Sequence, residues 1–84
     1  MLDVLIIGCG NIAGGFDESK PRTTSPFTHA GAYLAHGGYR FAACVEPNGE
    51  RRRVFQQRWG VASAFAQTGD AIAHKMHFDV ISIC

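Results

Sequence analysis

The sequence lacks an excess of either charge: eight Lys and Arg stand against seven Asp and Glu, for a net charge of +1 over 84 residues. That balance removes the electrostatic case for nucleic acid or an anionic membrane surface as partner. No apolar run approaches the roughly 18 residues of a membrane span. The run Val4–Ile7 is too short for a signal peptide and has no cationic start. Cysteine is sparse. Cys9, Cys44 and Cys84 make an odd count without the C-x-x-C spacing of a metal or redox motif. Each lies in or beside an apolar run, where a free thiol behaves as a small hydrophobe, so a reducing, cytoplasmic setting is expected. Cys9 falls where a helix N-terminus would depress its pKa, yet no resolving cysteine lies near it in sequence. Repeats, low-complexity tracts and internal linkers are missing too. With 46% hydrophobic and 18% charged residues the chain is neither disordered nor fibrous, and its length allows one small domain.

Glycine is what the sequence has in excess: ten residues, four of them within the first 15. Leu2–Ile7 is an apolar run closed by Gly8-Cys9-Gly10, the pattern of a strand buried on both faces. Ile12–Phe16 is a helix start weakened by Gly14-Gly15, and Asp17–Thr24 is a polar loop broken by Pro21. Ser25-Pro26 predicts a helix start, with Phe27, Ala30, Gly31, Leu34 and Ala35 on one face and Gly37-Gly38 as the stop. A second strand spans Tyr39–Val45. Asn48-Gly49 caps a helix over Glu50–Trp59 that turns Val54, Phe55 and Trp59 inward and stops at Gly60. A short strand within Val61–Ala66, a helix over Thr68–Met76 with Ile72 and Met76 four apart, and a buried strand over Phe78–Cys84 complete the reading. Strand and helix alternate, which predicts an α/β fold: an open parallel sheet with helices on both faces, one half of a doubly wound fold, in strand order 3-2-1-4.

The chemistry-bearing motif is Gly8-Cys9-Gly10-Asn11-Ile12-Ala13, a G-x-G-x-x-A directly after the first strand. The first glycine makes the tight turn and the second lets a pyrophosphate approach the backbone. The small Ala13 permits close helix–sheet packing, and a following helix N-terminus offers N–H groups to phosphate. Glu46 stands at the end of the second strand, where a carboxylate accepts hydrogen bonds from ribose hydroxyls. Its separation from Gly10 exceeds the usual 20 or so residues, mainly because Asp17–Thr24 is inserted in the first crossover. Arg51, Arg52 and Arg53 open the second helix against its dipole and read chiefly as a solvated face. Lys20, Arg22 and His29 read as surface residues near the ligand-binding edge. His36, His74 and His77 have no metal-ligand spacing, and no metal is expected.

The segments VLIIGCGNIAGGFDE, THAGAY, AACVEPN, RWGV and FDVISIC resemble the Gfo/Idh/MocA oxidoreductases, the relatives of glucose–fructose oxidoreductase and inositol dehydrogenase. The resemblance spans essentially the whole chain. It implies that residues 1–84 are part of an N-terminal NAD(P)-binding Rossmann domain whose partner domain holds a sugar or polyol. It also implies that Gly8, Cys9, Gly10, Asn11 and Ile12 cradle the pyrophosphate, and that Glu46, where the family usually has Asp, holds the ribose. Cys84 would begin the Cys-Thr-Pro segment along the nicotinamide crevice. NAD is the implied cofactor, with NADP as the second choice, and the parent enzyme would be a homo-oligomer. The segment with the catalytic lysine is not in the sequence, so no residue here is catalytic and the chain alone is expected to be inactive. Two other readings stand. LIIGCG resembles the glycine loop of S-adenosylmethionine-dependent methyltransferases, although Ile6 and Ile12 depart from it. A small non-catalytic nucleotide-sensing module is the other.

Overall fold

The computed structural model describes residues 1–10, 13–14, 28–74 and 76–84. Seven elements alternate along them: β1 (Leu2–Ile7), α1 (His29–His36), β2 (Tyr39–Val45), α2 (Gly49–Trp59), β3 (Ser63–Phe65), α3 (Thr68–Ala73) and β4 (Val80–Ile83). The strands form one parallel sheet in the order β3-β2-β1-β4. The fold is therefore α/β, with the expected order of a partial, Rossmann-like doubly wound sheet. None of the described helices is long and apolar enough to cross a membrane.

β1 lies between β2 and β4, and helices cover both of its faces. Val4 and Ile6 join a core with Ala30 of α1 and Phe55 and Trp59 of α2, whereas Leu5 joins Ala43, Val45 and Ala71 of α3 on the other face. Each such aliphatic side chain contributes about 1.5–3 kcal/mol by leaving water. In β2, Ala42 is the extra residue of a bulge, because Val4 pairs with Phe41 and Leu5 with Ala43. That bulge sets the alternation that sends Cys44 to the α1–α2 face and Val45 to the α3 face.

The amino edge is tied by polar groups. Arg40 donates to both carboxylate oxygens of Asp3 at 2.7 and 3.0 Å. The Asp3 N–H donates to Asp79 at 2.8 Å, and His77 lies 3.0 Å from the same carboxylate.

Several expected boundaries shift. α1 starts at His29 with Thr28 as its N-cap, and the Thr28 hydroxyl accepts the Gly31 N–H at 3.0 Å. Thr28 itself is extended, so this helix does not run back to Ser25-Pro26, which lie outside the described residues with Phe27 and the Asp17–Thr24 loop. On its inward face Ala30 and Gly31 are buried and Leu34 half-buried, but Ala35 is exposed. Gly37 and Gly60 stop α1 and α2 in the left-handed conformation, as expected. α3 ends at Ala73, so Ile72 and Met76 do not share a helical face. Ala71 is buried, while Ile72 is 70% exposed. β4 pairs only over Val80–Ile83 and is not a buried strand. Lying at the sheet edge and beyond the cover of α3, it leaves Ile81 55% and Ile83 78% exposed.

Candidate functional site

At the carboxyl edge, β1 ends between strands whose connections leave in opposite directions, the place where doubly wound sheets bind ligands. The Gly8 N–H extends the β1–β2 ladder to the Val45 carbonyl at 2.8 Å. On the other side the Cys84 N–H reaches the Ile7 carbonyl at 2.9 Å. A Cβ on Gly8 would lie 2.7 Å from the Cys84 carbonyl oxygen, and Gly8 has φ +90°. Glycine is required there on both counts. Gly10 differs: it is exposed, and a Cβ there meets nothing within 4 Å. Among the described residues no packing demand falls on it, and its backbone is open to approach from them.

Glu46 closes this turn from β2. One carboxylate oxygen accepts the Cys9 N–H at 3.0 Å and the other accepts the Asn48 N–H at 2.9 Å. An ionised carboxylate has about four lone-pair positions, so acceptor capacity remains for hydroxyl groups. The Arg52 guanidinium donates to the Glu46 carbonyl at 2.7 Å, and Arg53 pairs with Glu50 at 2.6 Å. These contacts explain how two of the three arginines are tolerated at a helix start: Arg52 turns back to the strand end and Arg53 is neutralised.

Gly8, Cys9, Gly10, Glu46 and Cys84 are thus brought to one edge, although Glu46 follows Gly10 by 36 positions. Asn11 and Ile12 lie outside the described residues, as do Lys20 and Arg22. The helix start expected directly after the turn, over Ile12–Phe16, lies largely outside the described residues, and the first N–H groups of α1 are in part already bound. Its Ala30 N–H is bound to the Ala13 carbonyl at 2.7 Å and its Gly31 N–H to Thr28.

Two features were not legible as site features. Asn48, read as a helix cap, also orients Glu46 through its backbone N–H; the E-P-N spacing was the available signal. Gly14, read as a helix weakener, is a packing residue. A Cβ there would collide with the Trp59 indole and lie 2.6 Å from Phe55.

Cys9 and Cys44 are buried, as expected of thiols that act as small hydrophobes, whereas Cys84 is exposed. Cys9 is fully buried, with its sulfur 3.7 Å from the Val45 carbonyl. Its pKa is driven up, not depressed, first by the neighbouring Cys44 thiol and then by burial. The Cys44 thiol is shifted the other way, below its ordinary value, first by Cys9 and with help from the Arg52 charge. Partial burial raises the Cys84 thiol. His29 is exposed at the α1 start, and His36, His74 and His77 are dispersed. Among the described residues no cluster of His, Cys, Asp and Glu is arranged to hold a metal. Compared with known proteins, the chain matches no family model, no curated protein and no solved structure.

Proposed function

We propose that the chain binds a nicotinamide dinucleotide at this edge, as the cofactor-positioning part of an oxidoreductase acting on a sugar- or polyol-like substrate. The observation that carries the reading is the Glu46 carboxylate, fixed by the Cys9 N–H within the glycine turn and standing beside the open Gly10. A pyrophosphate meets backbone at Gly10, while the adenine ribose hydroxyls donate to the free lone pairs of Glu46. The nicotinamide end would run toward Cys84. The cofactor supplies the hydride chemistry, and these residues bind and orient it.

NAD is favoured over NADP. A ribose 2′-phosphate would lie near the Glu46 carboxylate, and like charges about 4 Å apart repel by roughly 4 kcal/mol at an effective dielectric near 20. Arg53 is committed to Glu50 and one Arg52 nitrogen to the Glu46 carbonyl, which weakens the counter-argument from the arginines.

The test is calorimetric titration of the chain with NAD and NADP. Gly10→Ala adds a methyl into open space, so it should leave the urea midpoint unchanged and weaken NAD binding about tenfold or more. Glu46→Ser should narrow the preference for NAD. Equal affinity of both cofactors for the unaltered chain, or an unmoved ratio in the serine variant, would refute the role given to Glu46. The chain alone is expected to bind cofactor without oxidising any sugar or polyol.

A further inference from the structure

Each polar group of Glu46 has a partner. Its N–H donates to the Phe65 carbonyl of β3 at 2.9 Å, and its carboxylate accepts the Cys9 N–H at 3.0 Å and the Asn48 N–H at 2.9 Å. Its carbonyl accepts the half-buried Arg52 guanidinium at 2.7 Å. The Phe65, Cys9 and Asn48 groups are backbone, which almost any residue supplies, whereas the Arg52 group is a side chain. Arg52 also closes the turn from within the helix, because its own N–H donates to the Asn48 carbonyl at 2.9 Å. Between the two bonds lies Pro47, whose ring fixes φ. The chain from Glu46 to Asn48 is therefore pinned at both ends by one residue. A cation in the first turn of α2 opposes the helix dipole, so the helix by itself gains nothing from arginine here. A charged donor makes one of the stronger hydrogen bonds, and this one acts on the peptide group that carries the Glu46 carbonyl.

We propose that Arg52 is a positioning residue: by holding the Glu46 carbonyl it fixes the direction of the Glu46 carboxylate, and thereby the recognition of a ribose 2′-hydroxyl; the ribose clause rests on the function proposed above. A rotation of the Glu46 peptide swings the side chain about the end of β2 and breaks its bonds to the Cys9 and Asn48 N–H groups. The guanidinium on the Glu46 carbonyl opposes that rotation. With the carboxylate fixed before a ligand arrives, a ribose hydroxyl donates to a free lone pair without first ordering the acceptor, and the avoided ordering cost appears as affinity. Arg52 itself contacts no part of the ligand. Its removal therefore costs the hydroxyl contact and not a phosphate contact.

The experiment compares the unaltered chain with Arg52→Ala, Arg52→Lys and Arg53→Ala. Amide hydrogen exchange is measured first, without ligand. In Arg52→Ala the Cys9 N–H should exchange about tenfold faster while the amides inside β1 keep their protection. Arg52→Lys keeps a charged donor and should restore part of the Cys9 protection. Arg53→Ala removes the same charge one residue on, from a side chain paired with Glu50, and should leave Cys9 as it is. The urea midpoint of Arg52→Ala should stay near that of the unaltered chain, since alanine is the best helix former and a cation leaves the first turn. Unchanged exchange at Cys9, faster exchange at every amide alike, or an equal effect of Arg53→Ala would overturn the positioning role. In the second arm the chains are titrated with NAD and with its analogue lacking the adenosine 2′-hydroxyl. The unaltered chain should prefer NAD about tenfold, and Arg52→Ala should remove most of that preference. A preference unmoved by Arg52→Ala overturns the ribose clause. So does a greater loss of NADP than of NAD affinity, which would make Arg52 a phosphate contact. If the unaltered chain binds no NAD, the dinucleotide reading and the ribose clause fall together, while the exchange measurement decides the positioning role by itself.

Discussion

Gly8 carries two constraints at once, a positive φ and a carbonyl oxygen where a side chain would begin. Gly8→Ala must either distort the turn or push β4 away, at a cost of about 3 kcal/mol from backbone strain and overpacking together. Gly10→Ala should cost almost nothing in stability, since no described residue lies within 4 Å of its would-be Cβ. The pair separates a glycine the packing requires from one proposed to face a ligand, and urea denaturation of both variants measures the difference. If Gly10→Ala proves as damaging as Gly8→Ala, the division of roles is wrong. Both glycines were legible in the motif, but their roles rest on different neighbours. Cys84 arrives at Gly8 only because β4 pairs with β1.

β4 is the exposed element. Ile81 and Ile83 share the face of Leu5 and Ile7 on β1, yet they lie beyond the cover of α3. From Val80 to Cys84 the edge carries no charge or proline to discourage pairing with another strand. The purified chain is therefore expected to self-associate with rising concentration, and Ile83→Lys should return it to monomer in sedimentation. A monomer at every concentration without the lysine would count against this. The helices show how element reading succeeds and fails. α2 was legible because Asn48 and Gly60 mark its ends and Phe55 and Trp59 share a buried face. α3 was overextended, because the Ile72–Met76 spacing belongs to a helix that stops at Ala73. α1 started late, because Thr28 supplies the cap that Ser25-Pro26 was expected to provide.

At the scale of the molecule, the amino edge of the sheet responds to acid. Arg40 holds the Asp3 carboxyl below its ordinary value, and the Asp3 N–H does the same for Asp79. The folded chain then binds fewer protons than the unfolded one as these groups titrate. Their contribution is present above the unfolded carboxylate range and is lost as pH falls through the lowered folded values. The urea midpoint should stay level down to about pH 5 and drop below about pH 4. Arg40→Gln should flatten that drop, and added salt should shrink it because the groups are exposed. A profile unaltered by the arginine change would refute the assignment. The sequence by itself determined the α/β class, the strand order and the edge to which the glycine motif and Glu46 come, because alternating apolar runs, glycine stops and right-handed crossovers leave few other arrangements. Only the tertiary structure decided that Cys9 and Cys44 share one buried cluster, that Glu46 is bound to the glycine turn and that one face of β4 stays bare. Those facts depend on register and on which helix covers which strand, and no local pattern of residues encodes either.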